Sequence, residues 1–381
     1  MIVGIVGGGQ LARMLALAGY PLGLEFVFLD PTPDACAAPL GQHLRGGYDD
    51  QTLLARLAER ADVVTYEFEN VPVESVEFLA GLATVHPNAK ALAAARDRSA
   101  EKALFRELGI PTPPFTAVDT RADLDRAAAK IGLPAVLKTR TLGYDGKGQA
   151  VLRNAGDLDA AWARLGGARL ILEGFVPFDR EVSVIAVRGR NGETLFYPLA
   201  ENTHQDGVLR LSASRPGDPM QALAEGYARR LLDALEYVGV LALELFQAGE
   251  TLLASEMAPR VHNSGHWTIE GAETSQFENH LRAILGLPLG ATAPVGYAAM
   301  VNFIGAMPDA GRVLALPGAH WHAYGKQARS GRKLGHATLR ADSRQDLQAG
   351  LDHLLALVQP PAAAASIESG SRGEMMARSG A

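Results

Sequence analysis

The first 90 residues alternate short apolar runs with stretches of helical period, and this alternation is the strongest constraint on the fold. The runs and helical stretches follow one another at residues 2–6, 10–18, 25–29, 51–60, 62–65 and 73–80. Such a strand–helix alternation favours a parallel sheet covered by helices on both faces. The chain is therefore expected to begin with an α/β domain, which we place at residues 1–95.

The first predicted strand runs into the sequence Gly7-Gly-Gly-Gln-Leu-Ala12, which matches the G-x-G-x-x-A pattern of a dinucleotide-binding turn. Asp30 ends the second strand about 20 residues later, where such sites place an acidic residue. Any tight strand-to-helix turn beside a ligand has the same pattern. One hypothesis is therefore a nicotinamide-dependent oxidoreductase, which predicts NADH binding in the first domain.

The character of the sequence changes after a helical stretch at 97–108 and the rigid segment GIPTPP at 109–114. From there to about residue 290 the strands are longer and alternate, as at 181–187, and a long helical stretch at 221–237 interrupts them. This pattern predicts an α+β domain with an antiparallel sheet. We place it at residues 96–292.

A smaller β-rich domain is predicted at 293–360, ending in a helix near 345–358. The small, polar tail at 361–381 is expected to be disordered.

The composition narrows the function classes. A net charge of −6 argues against a general binder of nucleic acid or membrane surfaces. Cys36 is the single cysteine, which excludes an internal disulfide and a thiolate metal cluster. The sequence opens on an apolar strand pattern with no leader-like segment, and no apolar run reaches the ~20 residues that cross a bilayer. These features predict a cytoplasmic protein.

Glycines and cations are concentrated in KTRTLGYDGKGQ at 138–149. This is not a P-loop, because Gln149 and Ala150 stand where that motif requires lysine and serine or threonine. The apolar runs at 134–138 and 149–153 instead predict a hairpin whose loop closes over the phosphates of a nucleotide. An ordinary exposed turn is the alternative.

Two apolar strand patterns, 240–247 and 251–257, each carry one glutamate, Glu244 and Glu256. Carboxylates in buried strands are costly unless they are paired or bind a metal. With a three-residue turn, Glu244 faces residue 254 and Glu256 lies diagonally on the same face, about 7–8 Å away between Cα atoms. The pair then suits Mg²⁺ shared with the phosphates of a nucleotide. A two-residue turn would separate the pair, and exposed or locally paired glutamates are the alternative.

The segment after the second glutamate offers donors for a small oxyanion. Arg260, His262 and Asn263 supply cationic and amide groups for this purpose. His262 and His266 also have a spacing seen in zinc sites, but no helix and no nearby third ligand accompany them.

Two further segments suit a nucleotide ligand. The connector at 173–181 is able to present backbone groups to an adenine edge, while Glu181 accepts hydrogen bonds from ribose hydroxyls. A plain surface linker is the alternative. A phosphate site, or else a solvated surface, is indicated by the cluster Lys326, Arg329, Arg332 and Lys333.

Together these segments resemble the ATP-grasp superfamily and, within it, the N5-carboxyaminoimidazole ribonucleotide synthases, the ATPase subunits of phosphoribosylaminoimidazole carboxylase in purine biosynthesis. The matching segments run in order from residue 1 to about 340. They include GGGQLARM at 7–14, TYEFENV at 65–71, GYDGKGQ at 143–149 and EMAPRVHNSGHWT at 256–268. The resemblance implies an N-terminal Rossmann-like (pre-ATP-grasp) domain, a central ATP-grasp domain and a small C-terminal β-rich domain.

The activity that the resemblance implies is an ATP-dependent carboxylation. ATP phosphorylates bicarbonate to carboxyphosphate, which delivers CO₂ to the exocyclic amine of 5-aminoimidazole ribonucleotide without biotin. The resemblance also implies Mg²⁺, small-molecule substrates and a homodimer that binds neither nucleic acid nor membrane.

Carried over position by position, the resemblance assigns roles to individual residues. ATP binding falls to Arg98, Lys138, Gly143, Tyr144, Asp145, Gly146, Lys147, Gly148, Gln149, Glu173, Gly174, Phe175, Val176, Glu181, His204, Ser255 and Glu256. Mg²⁺ binding falls to Glu244 and Glu256. The chemistry at bicarbonate or carboxyphosphate falls to Arg260, His262, Asn263 and Lys147. Binding of the imidazole ribonucleotide falls to Glu67, Tyr144, Asp145, Lys326, Arg332 and Lys333.

The sequence departs from the family pattern at three places. Ser255 replaces the usual asparagine before the second metal glutamate, Thr141-Leu142 replaces an Arg/Gly pair, and Ala12 stands where glycine is common. Two other functions also fit an ATP-binding chain. One is a formate-dependent glycinamide ribonucleotide transformylase, which shares the acyl-phosphate chemistry, and the other is an ATP-binding regulator without catalysis.

Overall fold

The protein is described by a computed structural model that covers residues 1–143 and 148–358. Its first unit is a four-stranded parallel sheet in the order β3-β2-β1-β4. The strands are β1 (Ile2–Val6), β2 (Glu25–Leu29), β3 (Gln42–Leu44) and β4 (Val63–Tyr66). The helices are α1 (Gln10–Gly19), α2 (Gln51–Arg60), α3 (Val73–Ala80) and α4 (Ala89–Arg96). The predicted parallel sheet is confirmed, with the last strand found one residue later than predicted.

A second, antiparallel sheet has the order β5-β8-β6-β7. Its strands are β5 (Phe115–Val118), β6 (Ala135–Thr139), β7 (Gln149–Leu152) and β8 (Leu170–Gly174). The helices of this part are α5 (Arg98–Glu107), α6 (Arg121–Ile131) and α7 (Asp157–Leu165). β6 and β7 form the predicted hairpin, in which Lys138 is paired with Gln149. Four residues of its loop, 144–147, lie outside the described residues.

The third sheet has nine strands, in the order β14-β13-β9-β11-β12-β15-β17-β16 with β10 paired to β9. The strands are β9 (Arg180–Arg188), β10 (Thr194–Phe196), β11 (Ala200–Gln205), β12 (Val208–Ser214), β13 (Gly239–Ala248), β14 (Thr251–Ala258), β15 (Tyr297–Ile304), β16 (Ala319–Ala323) and β17 (Lys333–Ala341). The helices are α8 (Gln221–Ala234), α9 (Thr268–Gly271), α10 (Gln276–Leu285), α11 (Ala310–Leu314) and α12 (Arg344–Val358).

The C-terminal strands continue this central sheet, because β15 pairs with β12 on one side and with β17 on the other. The α/β and α+β fold class is confirmed, whereas the domain boundaries at 95, 292 and 360 stay predictions. The helix predicted at 221–237 was wrong at its end. It stops at Ala234, and two residues later Glu236 adopts the left-handed φ of 48°, which no helix continues.

One apolar core joins the first and third sheets. Phe26 and Phe28 of β2 belong to the same buried cluster as Trp267 and Leu281. A buried hydrogen bond, 3.0 Å between Thr65 Oγ1 and the His280 ring, links β4 to α10 within this interface. The end of the parallel sheet is thereby held close to the β13–β14 hairpin. Among the described residues, no helix has the length and apolar character to span a membrane.

Candidate active site

Two cavities meet at the β13–β14 hairpin, one facing the first sheet and the other facing the second sheet. The larger, of about 400 Å³, is lined by the turn after β1, the segment after β4, the start of α5 and the loop after β14. The smaller, of about 180 Å³, lies among β6, β7, β9, β11 and the β13–β14 hairpin. Arg98, Glu244 and Glu256 line both cavities. These three charged side chains therefore stand where the two spaces join.

Glu244 on β13 and Glu256 on β14 are direct partners in the antiparallel ladder. Side chains of directly opposed residues leave the same face of a sheet. Both carboxylates consequently point toward the junction of the cavities. The expectation that these two acids share a face agrees with the observed pairing.

The route to that arrangement differs from the predicted one. β13 and β14 are joined by two residues, Gly249 and Glu250, and Leu245 pairs with Ala254. The predicted three-residue turn, and the pairing of Glu244 with residue 254, were therefore wrong. A two-residue turn alone would separate the carboxylates, but Ser255 is an extra residue that forms a β-bulge and shifts the register.

The carboxylate pair is electrostatically strained. Burial and the charge of Glu256 raise the pKa of Glu244. Burial also acts to raise the pKa of Glu256, but Arg98, with its Nη1 2.7 Å from the carboxylate, outweighs burial and holds that pKa below its usual value. Two opposed carboxylates provide the oxygen ligands that Mg²⁺ prefers, and a divalent cation would relieve their repulsion. The residues present therefore fit a magnesium ion.

His262 adjoins this pair from the loop after β14. Its Nε2 lies 3.6 Å from Glu244, and its Nδ1 lies 2.9 Å from Ser264 Oγ. Burial, reinforced by the charge of Arg260, lowers the pKa of His262 to about 3. The imidazole is neutral at pH 7, and because its Nδ1 accepts from the Ser264 N–H, its proton is on Nε2, which faces Glu244.

Arg260 and Asn263 line the larger cavity beside His262. The Arg260 guanidinium is paired with Glu69 at 2.6 Å, which fixes it across the boundary between the first and third sheets. The amide of Asn263 is held by a reciprocal pair with Asn302, at 2.7 Å and 3.2 Å. The three residues predicted to act on an oxyanion are thus brought together and oriented by partners.

The smaller cavity collects a large share of the residues predicted to bind ATP. In addition to the shared residues it is lined by Lys138, Gln149, Glu181, His204 and Ser255. The Glu181 carboxylate contacts His204 Nδ1. Burial lowers the pKa of His204, but this contact outweighs burial and the net shift is upward. Glu181 and His204 therefore form a coupled pair on the wall of the cavity.

Glu173, which is predicted to bind ATP, is buried beside two lysines. Its side chain is 3% exposed and lies 3.0 Å from Lys138 Nζ and 3.6 Å from Lys102 Nζ. Burial acts to raise its pKa, but the two ammonium groups outweigh burial and lower it to about 2. The carboxylate of Glu173 therefore orients Lys138 from within the protein. Gly174 ends β8, and the linker after it begins with the exposed Phe175 and the half-buried Val176.

The glycine-rich loop is described only at its two ends. Gly143 lines the larger cavity, and Leu142 before it adopts the left-handed φ of 62°. Gly148 has a φ of 73°, which also favours glycine. The remaining predicted residues of the loop, Tyr144, Asp145, Gly146 and Lys147, lie outside the described residues.

The predicted phosphate-binding cations adjoin the larger cavity. Lys333 lines it, and the Lys326 ammonium contacts the side chain of Gln10 at the start of α1. Burial lowers the pKa of Lys326, and the charges of Arg332 and Lys333 lower it further. Arg332 and Lys333 therefore lie close enough to Lys326 to affect its charge. Arg329, the fourth cation of the predicted cluster, is exposed.

Glu67 fills the glycine turn after β1. Its carboxylate accepts hydrogen bonds from the backbone N–H groups of Gly9 and Ala12, the latter at 2.9 Å. A Cβ atom added at Gly7 or Gly9 would clash with this side chain. Asp30 accepts a hydrogen bond from the Gly8 N–H at 2.8 Å. Carboxylates of the protein itself therefore occupy the groups that a dinucleotide would need, which contradicts the oxidoreductase hypothesis.

Sequence reasoning missed several residues that support this site. Glu69 lies only two residues after Glu67, in a segment already recognised as matching. Asn302 and the buried pair Glu101 and Lys102 have no such signal, because each acts on a residue more than 30 positions away.

Three family models match the chain in succession. A ribonucleotide synthetase preATP-grasp domain matches residues 1–96 and an ATP-grasp domain matches residues 103–277. A phosphoribosylaminoimidazole carboxylase C-terminal domain matches residues 298–350.

Two relatives that match along almost the whole chain share one name. The N5-carboxyaminoimidazole ribonucleotide synthase of Pseudomonas aeruginosa is 61% identical, over 94% of this chain and 100% of the relative. That of Vibrio cholerae is 43% identical, over 95% of this chain and 97% of the relative.

Solved structures agree with these relatives. The N5-carboxyaminoimidazole ribonucleotide synthetase of Thermus thermophilus superposes with a TM-score of 0.90 at 59% identity, covering 94% of this chain and 99% of that one. The enzyme of Aspergillus clavatus, solved with ADP and 5-aminoimidazole ribonucleotide, superposes with a TM-score of 0.88 at 31% identity, covering 94% and 98%. The chain therefore belongs to the N5-carboxyaminoimidazole ribonucleotide synthase family, whose central unit is an ATP-grasp domain.

Proposed function

We propose that this protein uses ATP and bicarbonate to carboxylate 5-aminoimidazole ribonucleotide, forming N5-carboxyaminoimidazole ribonucleotide in purine biosynthesis. The observation that carries the proposal is the junction of two cavities at Arg98, Glu244 and Glu256. A phosphoryl donor in the smaller cavity and its acceptor in the larger one would meet at that junction.

ATP occupies the smaller cavity in this proposal. Lys138 and Arg98 face the phosphates, and Glu181 with His204 faces the ribose. The linker Gly174–Val176 presents its backbone to the adenine. The loop that contains Gly143, Lys147 and Gln149 closes over the phosphates, which keeps water from the reacting groups.

Glu244 and Glu256 would hold Mg²⁺ against the phosphate chain. When bound, the ion neutralises negative charge that develops on the transferred phosphoryl group. Support for this assignment comes from the opposed carboxylates and from the raised pKa of Glu244, since both reflect acids held together without enough positive charge.

The first chemical step transfers the γ-phosphoryl group to an oxygen of bicarbonate. The bond between phosphorus and the bridging oxygen of ADP breaks, and the new P–O bond gives carboxyphosphate. Arg260 stabilises the dianionic product because Glu69 holds its guanidinium in the larger cavity. Asn263, fixed by Asn302, adds an oriented amide.

The second step forms a C–N bond between the exocyclic amine and the carboxyl carbon. Phosphate leaves with the electrons of the C–O bond, and the amine loses one proton. The departing phosphate takes up that proton, and the Nε2–H of His262, which faces Glu244, is a hydrogen-bond donor in the same cavity. Lys147, which lies outside the described residues, is assigned to this intermediate by resemblance alone.

The ribonucleotide is bound through its 5′-phosphate by Lys326, Arg332 and Lys333. Glu67 from the first sheet lines the same cavity, and Tyr144 and Asp145 of the loop are assigned to the imidazole side by resemblance. In this proposal the enzyme is a cytoplasmic homodimer whose partners are small molecules.

The decisive experiment measures ADP release with each substrate omitted in turn. We expect ADP only when ATP, Mg²⁺, bicarbonate and 5-aminoimidazole ribonucleotide are all present, together with incorporation of ¹⁴C-bicarbonate into an acid-labile product. Release that requires formate and glycinamide ribonucleotide instead would identify the transformylase. Nucleotide binding without turnover would identify the non-catalytic regulator.

A further inference from the structure

The β-bulge at Ser255 decides where Glu256 points. If Ser255 entered the ladder and formed no bulge, the register that pairs Leu245 with Ala254 would continue and pair Glu244 with Ser255. Glu256 would then lie on the opposite face of the hairpin, away from both cavities. The metal-binding geometry of the proposed site therefore depends on what holds this bulge.

A bulge leaves backbone groups without partners in the ladder. Here the Lys102 ammonium donates to the carbonyl oxygens of Ala254 at 3.1 Å and of Ser255 at 2.7 Å. On the other side of Glu256, the N–H of Met257 donates to the Glu101 carboxylate at 2.6 Å. Two charged side chains thus bind the backbone immediately before and after Glu256.

Both side chains are buried, at 0% exposure for Lys102 and 1% for Glu101. Burying charged groups costs several kcal/mol each unless strong partners compensate. Lys102 also lies 3.6 Å from Glu173, so its three donors face two carbonyls and one carboxylate. An apolar residue would fill this place at lower cost, which indicates that the charges serve the bulge.

The contacts come from one face of one helix. Arg98, Glu101 and Lys102 have the i, i+3, i+4 spacing that places side chains together on a helix. Arg98 binds the Glu256 carboxylate while the other two bind the neighbouring backbone. The start of α5 is fixed by Asp97, which caps the helix by accepting from the Ser99 N–H at 2.8 Å.

We propose that Glu101 and Lys102 are positioning residues that hold the Ser255 bulge and so turn Glu256 toward Glu244. Glu101 also lines the larger cavity, but in this role both residues act through the backbone of β14, and the Mg²⁺ affinity of the nucleotide complex depends on them. The inference rests on the proposed magnesium role of the two glutamates.

The experiment measures the Kd of ADP by calorimetry, once with Mg²⁺ and once with EDTA, and takes the ratio. In the wild type we expect Mg²⁺ to tighten ADP binding at least tenfold. Lys102→Met should reduce this ratio to near one. The ratio is used because Lys102 also contacts Glu173, which in turn contacts Lys138. A disturbance of these two residues would change ADP binding equally with and without metal, and it therefore cancels in the ratio.

Several variants separate positioning from general damage. Glu101→Ala should lower the ratio about tenfold, whereas Glu101→Gln keeps an acceptor for the Met257 N–H and should stay within about threefold of the wild type. Deletion of Ser255 removes the bulge and places Glu256 in the regular ladder opposite Glu244, so it should keep the wild-type ratio and should restore the ratio lost in Lys102→Met. Lys90→Met is the matched control, because Lys90 also donates to a backbone carbonyl, that of Ala234, but in an exposed position.

A second readout is the electron paramagnetic resonance spectrum of Mn²⁺ added with ADP, which reports bound metal directly. If Lys102→Met fails to fold, Glu101→Ala and Lys102→Arg carry the test. A wild-type ratio near one would overturn the magnesium assignment itself. A normal wild-type ratio that persists in folded Lys102→Met or Glu101→Ala would overturn the positioning role alone.

Discussion

The glycine turn after β1 and the β13–β14 hairpin lie on two sides of the same cavity, but sequence and structure describe them differently. The turn has the pattern of a dinucleotide site, yet Glu67 fills it from within the protein. The hairpin has no ligand-binding pattern beyond its two acids, yet it opens onto both cavities.

The difference shows that a glycine pattern predicts close approach of some group to the backbone. The pattern does not tell whether that group is a ligand or a side chain of the protein. Backbone N–H groups at a helix start attract an anion of any origin. In the turn that anion is a carboxylate of the chain itself. In the hairpin two carboxylates face each other, and the compensating cation has to come partly from outside.

The largest expected effect is at the hairpin. Glu256→Gln should lower turnover by about 100-fold or more, because it removes a charged metal ligand at the transferring phosphoryl group. Steady-state kinetics with saturating Mg²⁺ and circular dichroism check the rate and the fold. Glu250→Gln, in the exposed turn of the same hairpin, is the control and should behave as the wild type. Full activity of Glu256→Gln would remove the hairpin from the site.

The next largest effect concerns the 5′-phosphate of the ribonucleotide. The glycine turn after β1 cannot bind this phosphate, because the Glu67 carboxylate already fills it. If Lys326, Arg332 and Lys333 bind it instead, Arg332→Ala should raise the KM for the ribonucleotide roughly 10- to 100-fold and leave that for ATP unchanged. Arg329→Ala, which alters an exposed arginine three residues away, provides the comparison. Equal changes in both KM values would place Arg332 elsewhere.

A smaller effect is expected at the turn. Glu67→Ala leaves the N–H groups of Gly9 and Ala12 without their acceptor, so the free energy of unfolding should fall by about 1–3 kcal/mol. Added sulfate should restore part of this loss by taking the place of the carboxylate. Thermal unfolding with and without sulfate measures both, and Glu59→Ala on the exposed face of α2 is the reference. Unchanged stability would mean that Glu67 does not support the turn.

The smallest effect is the coupling between Gly9 and Glu67. Gly9→Ala should destabilise the protein by about 1–3 kcal/mol, because the new Cβ lies 2.5 Å from Glu67 Oε1. In the Glu67→Ala background the same substitution should cost at least about 1 kcal/mol less. Gly226→Ala in α8, where an added Cβ meets open space, is the control. Additive costs would show that the two residues are independent.

Patterns within single elements predicted the parallel sheet, the β6–β7 hairpin and the acids of β13 and β14. The bulge at Ser255 was not predictable in this way, because it depends on Lys102, a residue 153 positions away. The local sequence of the glycine turn also did not predict that a carboxylate of the protein occupies it, because Glu67 follows β4 and is distant in sequence. Arg260 was identified from its local sequence, but its partner Glu69 is 191 positions away.

The side chains around the larger cavity are drawn from residues as far apart as Gly9 and Lys333. A truncated gene product that keeps only the first or only the third sheet would lose part of the cavity lining and part of the apolar core that these two sheets share. An exchange of segments between homologous genes would keep the activity only where the exchanged segments carry matching residues in the lining of the larger cavity. Selection for activity therefore acts on the three sheets together, because each of them contributes residues to the site.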